Sequence, residues 1–187
     1  MDLYQNIEKT INREICDSEE TYREFQQRIK EGSLTRDENP LTHFGTFFLP
    51  FNPKTQQLFL VHHKKSGLWI APGGHVDKGE VLWQTLNREI CEELGVKGHF
   101  QEPPNPFLLT ITRIDNSTQP CKTHYDVWYL MDTDGDNFNV DPKEFHDTKW
   151  LTLKEAQKIV TAPTNITALN FLENCLKNNK PWLSYQK

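Results

Sequence analysis

A chain of 187 residues with 36% hydrophobic content can bury one substantial core and is short for two full domains. Its net charge of −5 argues against broad, salt-sensitive binding to nucleic-acid polymers, so no stable partner of that kind is expected; a small anion carried by a metal remains compatible. No run of about eighteen apolar residues occurs. The opening MDLYQNIEKTINREICDSEE lacks a basic n-region and an apolar h-region. Neither a membrane span nor a signal peptide is expected, and the compartment reads as cytoplasmic. Cys16, Cys91, Cys121 and Cys175 are scattered without CxxC spacing and read as reduced thiols, not as a zinc site or redox pair.

Along the chain, Leu3, Ile7, Ile11 and Ile15 recur every fourth residue, and Tyr22, Phe25 and Ile29 continue a stripe after a break, predicting a helical hairpin over 2–32. Asp17 with Glu20 three later predicts a capping-box restart. Gly32 ends the second helix and Arg36 to Pro40 reads as a linker. This N-terminal helical extension, 1–40, reads as a lid packed on the domain C-terminal to it; a dimerisation arm, giving a homodimer, and a substrate-covering element are the alternatives.

From Thr42 the period shifts. HFGTFFLPF and QLFLVHH predict strands joined by an Asn52-Pro53 turn, and HHKKSG predicts a turn before the short strand LWIA. Farther on, FLLTITRID, THYDVWYLMD and a run ending at Trp150-Leu151 predict strands, with NSTQP turning between the first two. Thr152 and Glu155 form a capping box for the helix LKEAQKIV, and Ile166, Leu169, Leu172 and Leu176 mark a last amphipathic helix. The acidic run Asp132 to Asp136 fails as an EF-hand, because Asn137 stands where Gly is needed and Lys143 where a Glu should close the loop; it reads as a solvated turn.

The stretch GGHVDKGEVLWQTLNREICEELGV, Gly73 to Val96, holds the chemistry. Leu82 or Trp83, Leu86, Ile90 and Leu94 give one apolar helix face, and Gly95 ends the helix. Glu89, Glu92 and Glu93 fall near one side of it. Three like charges there must either spread into solvent or be neutralised, and Arg88 alone is too little. A divalent cation of the Mg²⁺ or Mn²⁺ type, which favours hard oxygen ligands and shares them with phosphate, suits the arrangement.

Read from Gly74, the run is G, five residues, Glu80, seven residues, Arg88, Glu89, Ile90, one residue, Glu92, Glu93, one residue, Gly95, Val96. This resembles the signature of the Nudix (MutT-like) hydrolases without departure at any fixed position. The resemblance implies an α+β fold with a mixed β-sheet sandwiched between α-helices, over a domain from 41 to 187 that comes after the helical extension. It implies a pyrophosphohydrolase that cleaves a nucleoside diphosphate linked to another group X by water attack on phosphorus. Its metal ligands would be Glu89, Glu92, Glu93 and the Gly73 carbonyl. Arg88 would orient the carboxylates, with Glu80 in support, while Gly74 and Gly79 let the backbone bend and Gly95 ends the helix. The general base is either Glu93 on the box helix or Glu144, six residues before Trp150. A non-catalytic nucleotide-binding module and an isoprenoid diphosphate isomerase are the alternatives on the same scaffold.

Substrate identity stays open, since Thr112 to Ile114 lacks the proline and tyrosine associated with ADP-ribose and diadenosine polyphosphate enzymes of the family. The basic knuckle His62 to Lys65 lies close in sequence to the phosphate site, which makes His63 and Lys65 candidate phosphate contacts; a solvated turn is the other reading. Trp69, Trp128, Tyr125 and Phe138 are candidates to stack a base, against core packing.

Overall fold

The computed structural model describes residues 2–115 and 120–178. Among them, seven strands form one sheet: β1 (Thr42–Asn52), β2 (Gln57–His63), β3 (Trp69–Ile70), β4 (Gly73–His75), β5 (Leu108–Arg113), β6 (Thr123–Asp132) and β7 (Phe145–Thr152). The path runs β3-β2-β1-β6-β5, with β4 added to β1 and β7 to β2. β1 and β6 run parallel while the other named pairs are antiparallel, so the sheet is mixed, as expected.

β6 explains why helices must cover both faces. Successive strand side chains point to opposite sides, and β6 is apolar on both. Tyr125, Val127, Tyr129 and Met131 join the core under α1 (Leu3–Thr10), α2 (Glu19–Glu31) and α3 (Leu82–Leu94). Trp128 and Leu130 join a second core under α4 (Leu153–Ile159) and α5 (Pro163–Lys177). A strand buried on both faces has no solvent side to leave polar, so Asp126 is also fully buried, accepting from the hydroxyls of Thr110 and Thr112.

The residues before 41 belong to the first of these layers. Phe25 packs edge-on against Phe44 and Tyr125, with ring centroids 5.7 and 5.1 Å apart. Arg28 is 2% exposed, and its guanidinium donates to the carbonyls of Gly32, Ser33 and Thr42, tying α2 to the start of β1. Two local expectations need correction here. Ile11 and Ile15 fall outside α1, because Ile11 caps it in extended backbone and Asn12 accepts the Glu14 N–H to open a separate 3-10 turn at Arg13–Ile15. The cap of α2 is Ser18, whose Oγ accepts the Thr21 N–H at 3.0 Å, and not Asp17. The Thr152–Glu155 capping box forms as expected. Of the expected NSTQP turn, residues 116–119 lie outside the described part.

Candidate active site

The box helix α3 begins at Leu82, the first position of its apolar face. Leu82, Leu86, Ile90 and Leu94 are buried in the core, and that anchoring fixes the rotation of α3. Gly95 ends it in the left-handed conformation, φ 73° and ψ 5°, donating to the Cys91 carbonyl. Beyond it, the N–H groups of Asn139 and Asp141 donate to the Leu94 and Glu93 carbonyls at 2.7 and 3.0 Å. The loop that carries Glu144 is therefore docked on the last turn of α3. Its other side is held by the turn just after β2, where the Lys64 N–H donates to the Glu144 carbonyl at 2.9 Å and the Lys64 ammonium to the Pro142 carbonyl.

These elements enclose a cleft of about 600 Å³ whose lining includes Gly73, Gly74, Arg88, Glu89, Glu92, Glu93 and Glu144. Arg88 organises it. Its guanidinium forms a fork with Glu80 at 2.9 and 3.1 Å, donates to Glu89 at 2.7 Å and Glu92 at 3.0 Å, and reaches the His75 carbonyl at 2.9 Å. Such planar, charge-assisted pairing fixes geometry as well as charge. Although burial opposes it, the hydrogen bonds to Glu80 and Glu89 hold Arg88 above its ordinary range. Glu80 also accepts from the Thr85 hydroxyl at 2.7 Å, and these bonds outweigh its own burial to hold it below the usual carboxylate range.

The other carboxylates are less compensated. Burial pushes Glu89 up to about 7 despite Arg88 beside it. Glu93 is 4% exposed, and burial together with the charges of Glu89 and Glu144 drives it well above its ordinary value, against the Gly73 backbone hydrogen bond. One Glu93 oxygen, Oε2, is buried without a hydrogen-bond partner. An orphaned carboxylate oxygen among three further carboxylates is the arrangement that a hard cation satisfies. Gly74 serves close packing and not bending. A Cβ there would lie 2.2 Å from Glu89 Oε1, so the glycine lets the carboxylate pack against the main chain; the positive φ of +90° falls at Gly79.

The knuckle residues His63, Lys64 and Lys65 line the cleft, with burial pulling His63 below its ordinary value. Sequence reasoning missed Arg36, His75, Asp77 and Lys143, which line it too. Arg36 and Asp77 pair at 3.1 Å, linking the segment before β1 to the loop after β4. Only His75 carried a local signal, as the residue following the glycine pair. The aromatic candidates lie elsewhere. Trp128 is fully buried, stacked on Phe47 and donating from Nε1 to Thr110 at 2.8 Å, so it has no face to offer a base. The alternation of β6 hid this because both of its faces are core. Trp69 lies outside the cleft lining, between the His62 ring at 5.1 Å and the Lys149 ammonium at 4.6 Å. Tyr125 is buried, and Phe138 stacks on Trp150.

Helical layers on both faces of a mixed sheet, with an arginine-keyed carboxylate cluster facing basic side chains, define an α+β domain suited to holding a cation beside an anionic ligand. Residues 41–174 match the NUDIX domain, and the chain belongs to that family. Nudix hydrolase 6 of Arabidopsis thaliana is 26% identical over 145 residues, covering 74% of this chain and 49% of the relative. The chain thus spans about half the length of that curated relative. Among solved structures, the MutT Nudix hydrolase of Burkholderia pseudomallei superposes with a TM-score of 0.57 at 21% identity, covering 69% of this chain and 96% of that one. The Ap4A hydrolase of C. elegans gives 0.55 at 20% identity, covering 72% and 98%. Among the described residues, no helix is long and apolar enough to cross a membrane.

Proposed function

We propose that the chain is a divalent-metal-dependent hydrolase that cleaves the phosphoanhydride bond of a nucleoside diphosphate linked to another group X, by water attack on phosphorus. The observation that carries this reading is the buried, partnerless Oε2 of Glu93 among Glu89, Glu92 and Glu144, beside basic residues that complement phosphate. Mg²⁺ or Mn²⁺ would be held by Glu89, Glu92, Glu93 and the Gly73 carbonyl. When bound, the cation neutralises the diphosphate and lowers the pKa of water. Arg88, fixed by Glu80, sets the orientation of Glu89 and Glu92. His63 and Lys65 face the same cleft and would contact phosphate oxygens. Glu144, held from both sides on its docked loop, takes the proton from the attacking water at its carboxylate; Glu93 is the other candidate, and its burial favours the ligand role.

The test is a panel of nucleoside triphosphates, nucleotide sugars, ADP-ribose, dinucleotide cofactors, dinucleoside polyphosphates and capped RNA with Mg²⁺ or Mn²⁺, products being read by mass. Cleavage that disappears in Glu92→Gln/Glu93→Gln is the expected result. Binding without turnover on every member would point to a nucleotide-binding module. An isomerised product without released phosphate or nucleotide would point to a diphosphate isomerase.

A further inference from the structure

A second group of ligating side chains, none of them a box carboxylate, gathers near the starts of β1 and β6 and the end of β4. His43 on β1, His75 on β4, His124 on β6 and Cys121 just before β6 each bring one donor atom to a common point, all four within 4.8 Å of one another. The topology makes this meeting. β1 and β6 are parallel neighbours with His43 directly opposite His124, and β4 lies along the other side of β1 with His75 opposite Gly45. Adjacent strands therefore supply three imidazoles, and the segment entering β6 supplies the thiol.

The hydrogen bonding within the group is incomplete in an informative way. His43 is fully buried; its Nδ1 lies 2.9 Å from the Asn39 carbonyl, which fixes the proton on Nδ1, while its Nε2 is buried with no partner. A backbone carbonyl holding the far nitrogen and a bare lone pair on the near one is how proteins orient a metal-ligating histidine. The Nε2 atoms of His75 and His124 face each other at 3.2 Å. In a tetrahedral zinc site, Zn–N and Zn–S bonds of about 2.0–2.1 and 2.3 Å place ligand atoms roughly 3.3–3.6 Å apart. The His75–His124 pair, at 3.2 Å, is already close to that separation. No pair exceeds 4.8 Å, so the widest needs to draw in by no more than roughly 1.2–1.5 Å to reach it. Cys121 is 6% exposed and the two outer imidazoles are half-buried, so the centre is shielded.

We infer that His43, His75, His124 and Cys121 form a closed, tetrahedral zinc site distinct from the box carboxylates. Three imidazoles and one thiolate are the donor set of zinc and not of Mg²⁺, which takes oxygen ligands. Four protein ligands leave no open position, so the ion acts structurally. It ties β4 to β1 and β6, and β4 carries both the Gly73-Gly74 turn and the His75 carbonyl that Arg88 contacts. The proposal stands independently of which substrate the box cleft takes.

The test uses the full chain, purified without added metal, then reconstituted with Zn²⁺ or Co²⁺. The expected result is one zinc per chain by elemental analysis, persisting in Glu92→Gln/Glu93→Gln and lost in Cys121→Ser and His124→Gln. Co²⁺ should give the intense visible bands of a tetrahedral ion with thiolate-to-metal charge transfer, and Zn²⁺ should raise the thermal midpoint of the wild-type protein. Absence of stoichiometric zinc after reconstitution, an octahedral cobalt spectrum, or zinc content unchanged by Cys121→Ser would each overturn the site. Should both ligand variants fail to fold, the wild-type cobalt spectrum decides alone, because its charge-transfer band reports the thiolate.

Discussion

The Asn6 side chain on α1 accepts the backbone N–H of Leu82, the first residue of α3, at 3.0 Å in a buried setting. The residue preceding α3 is Val81, which has no side-chain oxygen to cap the helix; the Gln84 side chain accepts its N–H instead. An acceptor seventy-six residues away thus satisfies one of the donors that every helix N-terminus leaves open. Replacing Asn6 by Ala removes that acceptor and should cost about 1–2 kcal/mol in stability. Urea unfolding followed by circular dichroism measures it. Truncation of residues 1–36 should be far more damaging, because Ile7, Phe25 and Leu34 leave the core together and each is worth about 1.5–3 kcal/mol.

That contact also marks the limit of sequence reading in this chain. The strands β1, β2 and β6, the capping box at Thr152 and the whole acidic helix were legible, because each is written in local periodicity or in spacing along one element. The partners that finish the site were not. Asn6 beneath α3, the Asn139 and Asp141 amides on its last turn, and Arg36 opposite Asp77 meet only through the tertiary fold, and nothing near them in sequence announces it. Cys121 illustrates the same point. It stands three residues before His124, but His43 and His75 arrive on other strands far away in sequence. Trp128 failed differently: strand alternation tells two faces apart but cannot tell which is solvent when neither is.

Arg88 should not tolerate lysine. An ammonium can replace the charge but not the fork to Glu80 with simultaneous bonds to Glu89, Glu92 and the His75 carbonyl. Losing one or more hydrogen bonds to charged groups, at about 1.5–3 kcal/mol each, predicts that Arg88→Lys lowers kcat/KM roughly 10- to 150-fold on whichever substrate the panel identifies. Equal turnover in the lysine variant would mean that charge alone suffices.

Gly74→Ala isolates close packing from backbone conformation. The added methyl would sit 2.2 Å from Glu89 Oε1 and 2.5 Å from the carboxyl carbon, so Glu89 must move. The backbone at Gly74 has no positive φ, and a left-handed penalty does not enter. The expected outcome is a folded protein with a near-normal thermal midpoint, weakened Mn²⁺ binding by calorimetry and reduced turnover. Unchanged Mn²⁺ affinity would remove Glu89 from the ligand set.

Glu144→Gln separates the two candidate bases. The loop bearing Glu144 is positioned by main-chain bonds from Lys64 to its carbonyl and from Asp141 to the Glu93 carbonyl, so the amide should leave the fold and the cleft walls in place. If the Glu144 carboxylate takes the proton from the attacking water, kcat should fall about 10²- to 10⁴-fold while Mn²⁺ affinity and the thermal midpoint stay near wild type. Glu93→Gln should behave differently, because it alters a buried carboxylate in contact with the Gly73 main chain and should weaken metal binding together with turnover. Near-normal turnover in Glu144→Gln would dismiss it as the base and assign the proton to Glu93. Loss of metal affinity in Glu144→Gln would instead make Glu144 a ligand beside the box carboxylates, in the cleft that it helps to line.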